Sequence, residues 1–160
     1  MSQRFEGQFE GFDQTELFFQ TWTPEKIRGV LLLTHGLAEH SECYHNLART
    51  LSDDGWLVYA WDMRGHGRSE GKRGYVANIS NFVDDLGNFH KLVAAKHPNE
   101  NLVFFGHSLG GLVTMRFLET RKVDYAALAL SSPCVGLSIP VPKFKEKLAL
   151  IAKRAGKTSN

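Results

Sequence analysis

The sequence predicts an α/β fold, a mostly parallel sheet wrapped by helices, and three observations carry that prediction. Short apolar runs at residues 30–33, 56–61, 102–105 and 126–130 are unbroken in hydrophobicity, as strands covered on both faces are. Segments with helical spacing of apolar residues lie between them, and strands alternating with helices pair in parallel through crossovers. At Gly106-His107-Ser108-Leu109-Gly110 one of those strands runs straight into a helix, with a serine at the apex.

In chain order, Phe5, Phe9 and Phe12, then Leu17, Phe18, Phe19 and Trp22, mark strand-like runs on either side of residues 11–15, an N-terminal hairpin. Residues 24–28 turn the chain into Val30-Leu31-Leu32-Leu33, the first buried strand. Residues 45–51 have helical character and stop before Asp53-Asp54-Gly55; Trp56-Leu57-Val58-Tyr59-Ala60-Trp61 is the next strand. The loop 62–74 is rich in glycine and arginine. Ile79, Phe82, Val83, Leu86, Phe89 and Val93 then fall on one helix face, with Asp84, Asp85, Asn88 and Lys91 expected on the solvent side, and Pro98 ends that helix. Leu112, Val113, Met115, Phe117 and Leu118 give the helix after the serine its apolar face, and residues 126–130 form a sixth strand. Pro140 and Pro142 break the chain before an amphipathic helix at 143–155, with Phe144, Leu148, Ile151 and Ala155 in register. From 143 to 160 six lysines and arginines stand against Glu146 alone. No internal repeat or low-complexity stretch is present.

With 160 residues, 42% hydrophobic and 22% charged, the composition suits one globular domain. A formal charge of +2 gives no argument for nucleic acid as a partner. Cys43 and Cys134 cannot build a disulfide framework, so a reducing compartment fits. The first residues carry no apolar stretch behind their charge, so no signal peptide is expected, and no run approaches the roughly 18 apolar residues of a membrane span. The expectation is a soluble, cytoplasmic protein.

G-x-S-x-G after a strand and before a helix is the pattern of a nucleophile elbow. The serine must hold a strained backbone so that its hydroxyl stands clear of the sheet, and its flanking positions must lack bulk; Gly106 and Gly110 meet that need. Gly111 is expected to let the helix pack close to the sheet. A serine hydroxyl attacks only when a histidine takes its proton, an acid orients that histidine, and N–H donors receive the oxyanion. The donor after the nucleophile is the Leu109 N–H. The second donor should lie in a loop after an earlier strand, and His35-Gly36-Leu37 is that loop, with the Leu37 N–H as the candidate.

Three segments together resemble a known family: Thr34-His35-Gly36-Leu37-Ala38-Glu39-His40-Ser41, Asp62-Met63-Arg64-Gly65-His66-Gly67-Arg68-Ser69-Glu70-Gly71, and Gly106-His107-Ser108-Leu109-Gly110-Gly111. In this order they are similar to the α/β-hydrolase-fold serine hydrolases, specifically the monoacylglycerol lipase and lysophospholipase group. The resemblance runs from about Phe5 to Gly136. It implies a doubly wound sheet, esterase or lipase activity on acyl glycerols, with monoacylglycerols or lysophospholipids as small-molecule substrates, and no cofactor or metal. It also implies Ser108 as nucleophile, Leu37 and Leu109 as oxyanion donors, and His107 as a structural neighbour rather than the base. Where relatives read Gly-Arg before the tyrosine, this chain has Glu42-Cys43-Tyr44.

The resemblance places the triad acid and histidine after the nucleophile. Here the acids after Ser108 are Glu119, Asp124 and Glu146, and all seven histidines precede it. The expectation is residues 1–136 as the N-terminal part of a hydrolase core and 137–160 as the start of a lid. Acid and base would then be missing from the chain, which alone would turn over little substrate.

Glu39, His40, Glu42, Cys43 and His45 suggest a metal site, but His40 and His45 are five apart, off the spacing helical zinc motifs use. Residues 67–72 resemble a phosphate loop, one residue short and with Arg73 where a hydroxyl is needed. Arg64, Arg68, Lys72 and Arg73 read most simply as a solvated loop. The basic helix at 143–155 fits either peripheral contact with an anionic membrane surface or a lid helix covering the rest of the enzyme. Two rivals to the hydrolase stay open: a non-catalytic fragment or pseudoenzyme that binds lipid or a protein, and a peptidase or acyltransferase on the same fold.

Overall fold

The computed structural model describes residues 3–136. The anticipated lid segment 137–160, with its basic helix at 143–155, lies outside the described residues. A hairpin of β1 (Gln3–Glu10) and β2 (Glu16–Thr23) leads to β3 (Gly29–Thr34), a 3₁₀ turn (Ser41–Tyr44), α1 (His45–Asp53) and β4 (Trp56–Trp61). Then follow α2 (Ile79–Lys96), β5 (Leu102–His107), α3 (Leu109–Thr120) and β6 (Ala127–Ser131). The strands form one sheet in the order β1-β2-β4-β3-β5-β6. β1 and β2 pair antiparallel with each other, β2 is antiparallel to β4, and the β4-β3-β5-β6 portion is parallel.

Strand residues alternate between two cores, as a pleated sheet requires. Val30 and Leu32, with Leu57, Tyr59, Trp61, Leu102 and Phe104, face one side, where α2 supplies Phe82 and Phe89 and α3 supplies Val113 and Phe117. Leu31 and Leu33, with Val58, Ala60 and Trp22, face the other side, against Ala48 of α1. Helices on both faces explain the unbroken apolar runs of the parallel strands.

The chain leaves β3 through α1 toward β4, and leaves β5 through α3 toward β6, in opposite directions along the sheet. β3 and β5 are neighbours, so their carboxyl ends form the switch point, where open α/β sheets hold their ligands.

Three local expectations need correction. Helix α1 continues through Asp53, and the last strand sits one residue later than expected, which pairs Ser131 with His107. More consequentially, Arg64 and Asp85 are not solvated. Asp85 is 0% exposed and receives both Arg64 Nε–H at 2.6 Å and Nη2–H at 2.7 Å. The same guanidinium pairs with Asp13 at 2.9 and 3.0 Å, and Phe12 N–H donates to Asp85 at 3.2 Å. Burial pushes the Asp85 carboxyl up against the pull of Arg64, while hydrogen bonds from Arg64 hold Asp13 well below the usual carboxylate range. This clasp ties the β1–β2 turn, the loop after β4 and α2 together. Charge spacing alone could not distinguish it from a wet helix face, because the partners are 21 and 51 residues apart in sequence.

Candidate active site

Ser108 lies between the last residue of β5 and the first of α3, half-buried, with φ 49° and ψ −117°. That conformation lies outside the left-handed helical well and costs a non-glycine residue about 1–3 kcal/mol. Surrounding bonds hold it there: Ser108 N–H donates to Ser131 O at 3.0 Å, and its carbonyl accepts Cys134 N–H at 2.9 Å and Leu112 N–H at 3.2 Å.

The flanking glycines are demanded by close approach. A Cβ on Gly110 would lie 2.3 Å from the carbonyl oxygens of both Thr34 and His35, so the first turn of α3 presses on the end of β3. A Cβ on Gly106 would lie 2.7 Å from Gly111 Cα. Gly111 sits close to β5, as expected, a Cβ there lying 3.3 Å from Gly106 O, and it also makes room for the segment after β6, because that Cβ would first meet Pro133 at 2.9 Å.

The loop after β3 closes on the same point. A Cβ on Gly36 would lie 3.3 Å from Ser108 Cβ and 3.1 Å from the His107 ring. The next residue, Leu37, is 62% exposed. Among the described residues, neither the Leu37 nor the Leu109 N–H has an acceptor. The Leu109 N–H belongs to the first turn of α3, where orphan donors and the helix dipole favour negative charge.

The loop is anchored at both ends to the segment after β4. His35 is fully buried; its Nε2 accepts Met63 N–H at 2.9 Å and its Nδ1 lies 2.7 Å from Gly36 O, which requires the neutral tautomer protonated on Nδ1. Burial pushes its pKa down to about 4. At the far end, Asp62 accepts Ser41 N–H at 2.6 Å and Arg68 N–H at 2.8 Å. Between the anchors, Glu39 Oε2 accepts Gly36 N–H at 2.8 Å and Tyr44 O–H at 2.6 Å. Burial alone would raise the Glu39 pKa, but those two donors with His107 and His35 bring it below the ordinary value. Burial, and then Glu39 itself, push the Tyr44 hydroxyl up.

In His107, Nδ1 lies 3.1 Å from Ser131 Oγ and Nε2 lies 3.9 Å from Glu39 Oε1. Glu42 pairs with Arg4 of β1 and lies 3.9 Å from His45 Nδ1. Among the described residues no group of three or more His, Cys, Asp or Glu is placed to hold a metal ion. No described helix is long and apolar enough to cross a membrane.

Sequence reasoning named Ser108, Leu37 and Leu109, and the structure brings their segments to one end of the sheet. It gave no role to Glu39, Tyr44, Asp62 or Ser131. The nearest available signal was a carboxylate three residues after a glycine, within reach of that glycine's N–H.

A strained serine between a central strand and a helix, facing a His-Gly loop at the switch point, defines the α/β-hydrolase fold. Solved structures agree. An α/β hydrolase from Novosphingobium aromaticivorans matches with a TM-score of 0.66 at 27% identity, over 81% of this chain and 44% of that one. The monoacylglycerol lipase of Paleococcus ferrophilus matches with a TM-score of 0.64 at 34% identity, over 95% of this chain and 51% of that one.

The chain belongs to the Hydrolase_4 family, described as serine aminopeptidase, S33, which it matches over residues 25–160. It is 38% identical over 157 residues to the monoacylglycerol lipase of Mycolicibacterium smegmatis, an alignment covering 98% of this chain and 55% of that protein. The chain therefore spans about half the length of the curated relatives it matches.

Proposed function

We propose that this chain carries the nucleophile-bearing half of a carboxylic-ester hydrolase acting on monoacylglycerols or lysophospholipids. Ser108 Oγ attacks the acyl carbonyl, its proton passes through a general base to the departing alcohol, and an acyl-enzyme forms. Water then attacks the acyl-enzyme and regenerates the serine. The Leu37 and Leu109 N–H groups hold the oxyanion in both halves of the reaction. No electrons are transferred, so the chemistry needs no redox cofactor.

The observation that carries this reading is the Ser108 backbone at φ 49° and ψ −117°, a corner kept at the switch point with Gly36 packed against its side chain. The relatives' names supply the substrate class. His35 has both ring nitrogens hydrogen-bonded elsewhere and His107 has its Nδ1 on Ser131, which supports a base and an acid that come from outside these 160 residues. In the same reading, residues 1–136 are the N-terminal part of the core and 137–160 begin a lid. The basic stretch 143–155 would let a cytoplasmic enzyme meet a lipid surface.

A fluorophosphonate tests the assignment. With the base absent, turnover should fall on the order of 10⁶-fold, yet oxyanion donors alone retain roughly 10³–10⁴-fold over water. Slow adduct formation should therefore select Ser108 over Ser131 and Ser132 and vanish in Ser108→Ala. Equal modification of all three serines, or none at Ser108 in folded protein, would support the non-catalytic binding reading instead. The family's aminopeptidase description favours one rival, a peptidase. Faster acylation of Ser108 by an aminoacyl ester than by a fatty acyl ester of equal leaving group would select it.

A further inference from the structure

We propose that Glu39 is a positioning residue for the oxyanion site: its carboxylate takes the Gly36 N–H out of play and fixes the turn so that the Leu37 N–H alone faces the acyl oxygen. The inference rests on the reading of Ser108 and Leu37 given above and adds a residue to it.

After His35 the backbone offers consecutive N–H groups at Gly36, which is buried, and Leu37, which is exposed. The Gly36 N–H is already donated to Glu39 Oε2 at 2.8 Å. The Leu37 N–H has no acceptor among the described residues. A Cβ on Gly36 would touch Glu39 Oε2 at 3.0 Å, His107 Cδ2 at 3.1 Å and Ser108 Cβ at 3.3 Å, so carboxylate, imidazole and serine crowd one α-carbon. Ala38, inside the same turn, has φ 60°, a left-handed conformation a non-glycine residue keeps only when its surroundings enforce it. Glu39 N–H also closes the turn onto Gly36 O at 3.3 Å.

A bare carboxylate beside a developing oxyanion would oppose it, so its charge must be directed elsewhere. Oε2 is shared between Gly36 N–H and Tyr44 O–H, and Oε1 faces His107 Nε2 at 3.9 Å. His107 is in turn tied to Ser131 of β6 at 3.1 Å. The carboxylate thus links the 3₁₀ turn, the loop after β3 and the end of β5. A charge-assisted bond from a carboxylate to an amide is roughly twice as strong as a neutral one, which suits a device that must hold a strained turn.

The test uses the full chain, isotope-labelled, with Glu39→Gln and Glu39→Ala. In the wild type, the Gly36 amide proton should shift with a step below the ordinary glutamate range as Glu39 protonates. His35, His107 and Tyr44 also face Glu39, and the Glu39→Gln protein identifies the step, because there it should disappear while any histidine step persists. Glu39→Ala should speed exchange of the Gly36 amide by about 10- to 100-fold, the worth of a hydrogen bond to a charged group. Glu39→Gln, which keeps an acceptor, should restore most of that protection and most of the rate of Ser108 phosphonylation lost in Glu39→Ala. A Gly36 amide proton unmoved across the acid range overturns the proposal, as does unchanged exchange in Glu39→Ala. Should the wild type show the Gly36 signature while Ser108 takes no phosphonate, the hydrolase reading fails and the Glu39 contact stands.

Discussion

Acidification should weaken the fold through His35 as pH falls below about 6.5, before most carboxylates are neutralised. The ring is buried, accepts Met63 N–H on Nε2, and has a pKa pushed down to about 4. Protonation places a second proton where that N–H already points, so the bond to Met63 must break. A histidine with a depressed folded pKa gives stability that is fully present above the unfolded value of about 6.5 and lost as pH falls toward the folded one. Linkage over that interval predicts a loss of about 2.5 kcal/mol from this group between about pH 7.5 and about pH 4.5. Burial also lowers His90 and His97, so their contributions have the same sign and must be subtracted. Urea unfolding of the wild type and of His35→Gln at both pH values isolates the His35 share as the difference between their losses. Equal losses in the two proteins would refute the argument. So would a His35 ring proton titrating at the ordinary value, a measurement that survives even if the variant does not fold.

Three further outcomes follow from the packing. Asp85→Ala leaves Arg64 buried with Asp13 as its remaining partner, so urea unfolding should show a loss of about 3 kcal/mol, the low end for breaking a buried pair; a loss under about 1 kcal/mol would contradict the clasp. Gly110→Ala drives a methyl group to 2.3 Å from two backbone carbonyls that cannot swing aside, and should cost about 3 kcal/mol or more by thermal unfolding. Ser108→Gly removes the hydroxyl and the backbone strain together, and should raise stability by about 1 kcal/mol while abolishing phosphonylation.

The sequence made the sheet legible because its parallel strands are short, unbroken and separated by one-faced helices. The site's corner was legible for the same reason that it is strained: only glycines can flank such a serine where α3 meets the end of β3. Contacts between distant residues could not be read this way. Asp85 falls on the polar side of a helical pattern, yet its partner arrives from the loop after β4 and its neighbour from the β1–β2 turn. Arg64 sits among other cations that resemble a solvated loop, and nothing local says that one of them turns inward. Glu39 stood inside a recognisable segment, but its task depends on a 2.8 Å contact set by the turn it stabilises.

Two main-chain amides, from the loop after β3 and from the first turn of α3, should converge on the oxyanion formed when Ser108 attacks. A crystal structure of the Ser108 phosphonate adduct measures this directly. The phosphonyl oxygen should lie about 2.7–3.1 Å from both the Leu37 and the Leu109 nitrogens. An oxygen directed to solvent, or held by the Gly36 N–H in place of Leu37, would contradict it.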